Sequence, residues 1–446
     1  MDTKFKIALF LLLFPILTNC GEDNTVNPET INIEEKEEDN NDNSTNILPL
    51  NIVEDETLSF SPTDFSNTDL SEKNKTIIEG YNTLSFDLFK LIAQDDISQN
   101  KNTFVSPFSV VQVLSLLSNG AADKGLMELQ KALNYSDSIK DVNLTNVTLN
   151  NILAHASENS SFETFNSIWI NEGLYVNRSF LDTSKFFYNA EVFGLKFYAN
   201  DAGKAINSWC ADKTHDLISQ VVDEGPLDGV LSLANAVYFK NQWLYPFDEN
   251  KTSKELFTNY DQSQTYVSTM QIVKNTDSLT YVSMNDCDIL NIPFHNNFNM
   301  VVLMPERNVN VKDFMNSLSL TNWKDIINSL APKNLRIFLP KFKLESDISL
   351  KTYLNKLGIN EIFSNSGALS KMSPSGLFVN KVKQSSIINI DEYGAEAAAV
   401  TVMQADGSSG GHSTPPADIR IDHPFVFIIY EQNSNVILFT GCVNHL

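Results

Sequence analysis

The chain has 446 residues, 42% of them hydrophobic and 10% aromatic, long enough for one large or two ordinary domains with a substantial core and too apolar for a disordered polypeptide. Its formal net charge is −23, spread unevenly: counted along the sequence, residues 1–20 carry +1, residues 21–70 carry −13 and the remainder −11. The chain lacks a basic cluster, which argues against nucleic-acid and heparin-type partners.

In chain order, MDTKFKIALFLLLFPILTNC joins two lysines to an apolar run from Ile7 to Leu17, the charge order and length of a secretory signal rather than a spanning helix. Residues 1–19 are therefore read as a signal peptide. Leu17, three residues before Cys20, makes this end resemble a bacterial lipoprotein processing box. There the Cys20 thiol would carry lipid and anchor the mature chain to an outer membrane or cell surface. Asn19 departs from that box, which favours a small residue, and plain secretion is the alternative. Residues 20–70, acidic with few large apolar side chains, are expected to form a disordered linker that holds a folded domain, 71–446, away from a surface.

Periodic hydrophobicity begins near Ile77 and predicts a helix carrying Ile78, Leu84, Phe86, Leu88, Phe89, Leu91 and Ile92. A second, buried helix is expected after Ser106-Pro107, with Val110, Val111, Val113, Leu114, Leu116 and Leu117 covering most of its faces. Strands follow by β-branched and aromatic content: SIWINEGLYV, VLSLANAVYF, DILNIPFHNNFNMVVLMP, LRIFLPKFKL, IINIDE and PFVFIIYEQNSNVILFTGCV. Two of these fold back on themselves as antiparallel hairpins, across HNN and EQNSN. NDAGKAINSWCADKTHDLIS and SLKTYLNKLGIN read as helices, the second ended by Gly358. Helices mixed with mainly antiparallel strands define an α+β class.

The cysteines Cys20, Cys210, Cys287 and Cys442 have neither close pairing nor metal-ligand spacing; the last three are expected as buried free thiols, without a disulfide. The six histidines are not spaced as ligands, so neither metal nor cofactor is expected. Gly407-Ser-Ser409-Gly-Gly411 satisfies the letter of G-x-S-x-G, but Pro415-Pro416 follows where a nucleophile elbow needs a helix. The chain is not read as an enzyme.

The stretch EYGAEAAAVTVMQADGSSGGH, Glu392 to His412, is alanine-rich, then β-prone, then rich in glycine and serine, with the hydrophobic run PFVFIIY soon after it. With period 2, Ala395, Ala397, Ala399, Thr401, Met403 and Ala405 share one face, small and uncharged, and proline is absent from Glu392 to Thr414. Such a strand can be buried inside an existing sheet. The rival reading is a short surface helix, given the helix propensity of AEAAA.

From about Lys75 to Leu446 the sequence resembles the serpin family. The resemblance rests on NTFVSPFSVVQVLSLLSNGA, LANAVYFKNQWLYPF, LPKFKLES, IDEYGAEAAA and HPFVFIIYEQNSNVILFTGCVNHL, which match in order and spacing. It implies helices around three mainly antiparallel sheets and an exposed reactive loop near the C-terminus. It also implies a monomeric suicide-substrate inhibitor of serine, possibly cysteine, proteases, which traps the acyl-enzyme by inserting its cleaved loop into the central sheet. A non-inhibitory serpin acting as a binding protein is the alternative. Residue by residue, the resemblance makes Glu392, Gly394, Ala395, Ala397, Ala398 and Ala399 the hinge. Trp243 lies beneath the loop's entry point, the Lys341–Glu392 pair pins the hinge, and Ser106, Ser109, Asn235 and Gln384 lie under the opening sheet. Asn241 stands where the family usually has glycine, and Gln384 where it commonly has histidine. Counting forward from Gly394 puts the reactive bond between Ser408 and Ser409; counting back from Pro415-Pro416 puts it between His412 and Ser413, with Met403 and Asp406 as further options. A small residue at that bond suggests elastase-like or subtilisin-like targets.

Overall fold

A computed structural model of the protein describes residues 46–55, 68–136, 138–154, 160–274, 279–395 and 415–446. The signal peptide, Cys20, and Ala397, Ala398, Ala399, Ser408, Ser409, His412 and Ser413 lie outside the described residues.

Seven strands form the main sheet: β1 (Ile47–Leu48), β2 (Ser160–Asn171), β3 (Glu191–Leu195), β4 (Leu231–Gln242), β5 (Phe342–Ser349), β6 (Lys381–Ile390) and β7 (Gly394–Ala395). Their spatial order is β1-β3-β2-β4-β7-β6-β5. A second seven-stranded sheet contains both expected hairpins, Cys287–Pro293 with Phe298–Pro305 and Phe425–Glu431 with Ile437–Val443. Every residue of the last two strands is buried, which is why their sequence runs apolar instead of alternating. A four-stranded sheet joins Ser253–Thr258, Gln264–Lys274, Leu335–Pro340 and Ala417–Arg420, and a short parallel ribbon pairs Asn51–Val53 with Tyr175–Asn177. The α+β expectation of three mainly antiparallel sheets holds, with the ribbon added to it.

Helix Pro107–Gly120 packs against both β4 and Ile437–Val443, and all its residues but Asn119 are buried. Its start follows from sequence: Ser106 caps the Ser109 N–H and Pro107 occupies the first turn. Cys210, Cys287 and Cys442 are buried free thiols.

Three local expectations are corrected. Residues 46–55, assigned to the disordered linker, form β1 and one strand of the ribbon; their five apolar residues, Ile47, Leu48, Leu50, Ile52 and Val53, stand in an otherwise acidic, polar tract, and it is the edge they meet that orders them. SIWINEGLYV breaks at Gly173, which turns with φ +80°. The helix expected over 200–219 stops at Lys213, because His215 and Asp216 take left-handed conformations that no right-handed helix continues through.

Candidate functional site

The site is the junction of β4, β6 and β7. Strands β4 and β6 pair directly and in parallel from Ser232↔Lys381 to Ala236↔Ser385. Beyond that register β7 lies between them, with Ala395 opposite Asn241 of β4 and Ile390 of β6, and Gly394 opposite Gln242. The main sheet is thus closed at one end, while at the other it already holds the first residues of the stretch that the sequence singled out. The resemblance names Gly394 and Ala395 as hinge residues; in the structure both are paired within the sheet. Gly394 has φ +149°, and a Cβ there would sit 2.0 Å from the Asn241 carbonyl oxygen. Only glycine permits that approach. Ala395 is fully buried.

Several groups hold this entry. The Trp243 backbone N–H donates to the Tyr393 carbonyl (2.8 Å) and its indole Nε1–H to the Asp391 carbonyl (2.9 Å). The buried ring stacks on Phe294 with centroids 4.0 Å apart. Asp391, which sequence reasoning missed, accepts from the N–H groups of Tyr393 (2.8 Å) and Gly394 (3.2 Å) through Oδ1. An aspartate two residues before Tyr393-Gly394 is the signature of an Asx turn, the signal that could have found it.

Glu392 is buried, and its Oε2 accepts from Lys341 Nζ (2.6 Å) while its Oε1 accepts from Thr252 Oγ1 (2.6 Å). Thr252 also went unread in the sequence. Burial alone would raise the Glu392 pKa, but the hydrogen bonds from Lys341 and Thr252 outweigh it and hold the carboxyl below its ordinary 4.5. A depressed folded-state pKa contributes stability above the unfolded value, and that contribution is lost as pH falls through the folded one. Glu392→Gln is therefore expected to be less stable than the parent at pH 7, with the gap closing below about pH 4.5. Paired thermal melts from pH 7 to pH 3 check this, and a gap that stays constant over that range would refute the pairing.

Beneath the closed end lies a second group. Gln384 of β6 bridges helix Pro107–Gly120: its Oε1 accepts from the Ser106 N–H (3.1 Å), and its Nε2 donates to the Ser106 carbonyl (2.7 Å) and to Ser109 Oγ. Ser106 Oγ donates to the Leu438 carbonyl in the second sheet (2.8 Å). Asn235 stands opposite Gln384 in the register, but its side chain donates to Asn166 Oδ1 (2.8 Å) instead. The structure thus brings Ser106, Ser109 and Gln384 into one hydrogen-bonded cluster and leaves Asn235 beside it. Asn235 Oδ1 and Ser386 Oγ, on strands β4 and β6, are buried without a hydrogen-bond partner among the described residues. A carboxamide does not change charge between pH 5 and 8, so this bridge does not titrate there. Gln384→Ala leaves the Ser106 N–H without its acceptor, while the Ser106 carbonyl and Ser109 Oγ keep their bond to each other (3.1 Å), so one buried group is left unsatisfied, at about 1–3 kcal/mol. A loss of about 1–3 kcal/mol is expected in urea unfolding, and a loss within about 0.5 kcal/mol, the range typical of plain surface changes, would show that the bridge carries no weight.

Together these features define a class: a protein whose central sheet has, between β4 and β6, a strand position that Gly394 and Ala395 occupy among the described residues. The chain belongs to the serpin family. The family model Serpin (serine protease inhibitor) matches residues 79–446. Iripin-3 of Ixodes ricinus is 32% identical over 360 residues, covering 78% of this chain and 90% of that protein. Intracellular coagulation inhibitor 2 of Tachypleus tridentatus is 30% identical, covering 78% and 87%. Among solved structures, the thermophilic serpin Tengpin in its native state is 26% identical with a TM-score of 0.75, covering 90% of this chain and 98% of that one.

Proposed function

We propose that the protein is a suicide-substrate inhibitor of serine proteases, elastase-like or subtilisin-like in specificity, with cysteine proteases as secondary targets. The observation that carries this reading is β7: Gly394 and Ala395 already occupy the strand position between β4 and β6, so the small, uncharged face that follows them has a place to go. A protease cuts the loop after Ser408, or after His412 in the longer reading, and stays joined to the new end as an acyl-enzyme. The freed segment, about 14 residues long, then continues β7 as a new strand. At about 3.3 Å per residue it carries the protease roughly 45 Å. Its active site is distorted by far more than the ~1 Å misplacement that already damages catalysis, and the ester persists. Serpin loop insertion is a known case of strand addition.

In this reading Trp243, Asp391 and the Lys341–Glu392 pair hold the mouth of the sheet. Ser106, Ser109 and Gln384, with Asn235 beside them, hold its closed end until the strand arrives. Lipid on Cys20 tethers the inhibitor to a bacterial outer membrane or cell surface; labelling with a radioactive fatty acid tests that part alone, and an unlabelled chain refutes it.

Incubation with pancreatic elastase and subtilisin is expected to give a complex that survives boiling in detergent, with one new C-terminal fragment beginning at Ser409 or Ser413. Clean cleavage across a broad protease panel, with no such complex, would overturn the inhibitory reading and leave a binding protein.

A further inference from the structure

Residues 46–55 lie outside the matched span 79–446, and the loop mechanism does not use them. They nevertheless occupy a fitted groove. β1 pairs antiparallel with β3, the outermost strand of the main sheet without it, through Ile47↔Leu195 and Leu48↔Gly194. Asn46 extends the pairing, its carbonyl accepting from the Lys196 N–H (3.1 Å) and its Nδ2 donating to Asp201 Oδ1. A Cβ on Gly194 would stand 2.7 Å from the Leu48 carbonyl oxygen, so the strand comes as close as it does because position 194 has no side chain. The segment then runs parallel to Tyr175–Asn177 and ends on two carboxylates at the start of helix Arg178–Tyr188.

That helix end gives a second, independent observation. Asn177, in the capping position, makes no side-chain cap; its Nδ2 donates instead to the Lys371 carbonyl (3.0 Å). Asp55 supplies the missing acceptor, Oδ1 taking the Ser179 N–H (2.8 Å) and Oδ2 the Ser179 hydroxyl (2.5 Å). Glu54 pairs with Arg178, its Oε1 accepting from Nη2 at 3.0 Å. An acid at a helix N-terminus is favoured by the dipole, and here it comes from 124 residues upstream.

An edge strand presents unpaired backbone groups that accept another strand. We infer that the groove running from the β3 edge to the N-terminus of helix Arg178–Tyr188 is a strand-acceptor site. Residues 46–55 are its resident occupant in the same chain, and the partner it fits in trans is the same segment of a second copy. Its specificity comes from close backbone approach at Gly194 and from the acidic pair Glu54-Asp55 reading Arg178 and the open helix start. The inference is independent of protease inhibition.

Two full-length variants test it. Leu48→Pro/Asp55→Ala removes a pairing group and the cap and so empties the groove; Gly194→Val fills the groove and leaves the segment free. Mixed one to one, they are expected to form a heterodimer on size-exclusion chromatography, while each alone stays monomeric. A fluorescent peptide of residues 46–55 is expected to bind Leu48→Pro/Asp55→Ala at least tenfold more tightly than either a scrambled peptide or one carrying Asp55→Ala, and not to bind the parent. The peptide arm does not depend on Gly194→Val folding. Equal binding of scrambled and native peptides, or no binding of either, overturns the inference.

Discussion

Ala395→Arg is expected to turn the protein from an inhibitor into a substrate. Ala395 is fully buried between Asn241 of β4 and Ile390 of β6, and every later residue of the inserting strand must follow it through that gap. An arginine there must bury a charge without a partner or stay outside and block the strand. The effective cost of burying an unpaired ion is several kcal/mol, and about 1.4 kcal/mol is a factor of ten in rate. Insertion competes with hydrolysis of the acyl-enzyme, so the ratio of trapped to cleaved product should fall by about 10² or more. The stoichiometry of inhibition and the yield of detergent-resistant complex read this directly. Ala395→Ser, small and uncharged, serves as the control and should stay near the parent. Trapping by Ala395→Arg at the parental stoichiometry would show that loop insertion is not the trap. Ala397→Arg, two residues on along the same face, is expected to behave alike.

The second large effect is thermal. Cutting the loop without a trapped protease, by an enzyme that only nicks it, is expected to raise the melting temperature by about 10 °C or more. Among the described residues two stand at the β7 position, and Asn235 Oδ1 and Ser386 Oγ on β4 and β6 are buried without a hydrogen-bond partner. A strand that continues β7 adds backbone hydrogen bonds on both sides and buries a small apolar face. Unfolding entropy scales at roughly 2 cal/mol/K per residue, so a domain of this length moves only about 1–2 °C per kcal/mol. A rise of about 10 °C therefore corresponds to several kcal/mol, far above what a nick in an ordinary loop produces. Scans of nicked and intact protein at one heating rate decide it, since such unfolding is often irreversible. Coincident melts would mean that the native sheet holds no stored capacity for a further strand.

The features of the fold and of the site divide by how local their chemistry is. Ser106-Pro107, Gly358 and the hairpin strands were legible because a cap, a left-handed turn or a continuous apolar run is specified within a few residues of itself. Gly394 stood out in the sequence, but the constraint on it, the Asn241 carbonyl 2.0 Å from where a Cβ would stand, comes from a strand 153 residues away and has no local signal. Thr252 was unreadable for the same reason: one hydroxyl becomes part of the site only because the fold sets it 2.6 Å from Glu392. The segment 46–55 was misread because its order comes from an edge and a helix end that it meets, not from its own composition.

By itself, then, the sequence determined the α+β class, the buried central helix, the hairpins, the order of family motifs and the small, proline-free face of the loop. All of these rest on periodicity, turn chemistry or a run of matching residues. Tertiary structure alone decided that the first two loop residues are already seated in the main sheet, that Gln384 rather than Asn235 bridges to the central helix, and that an acidic N-terminal segment closes the sheet's edge. Each of these depends on backbone groups brought together from distant parts of the chain, and hydrogen-bond partners chosen at such separations leave no trace in the spacing of residues along it.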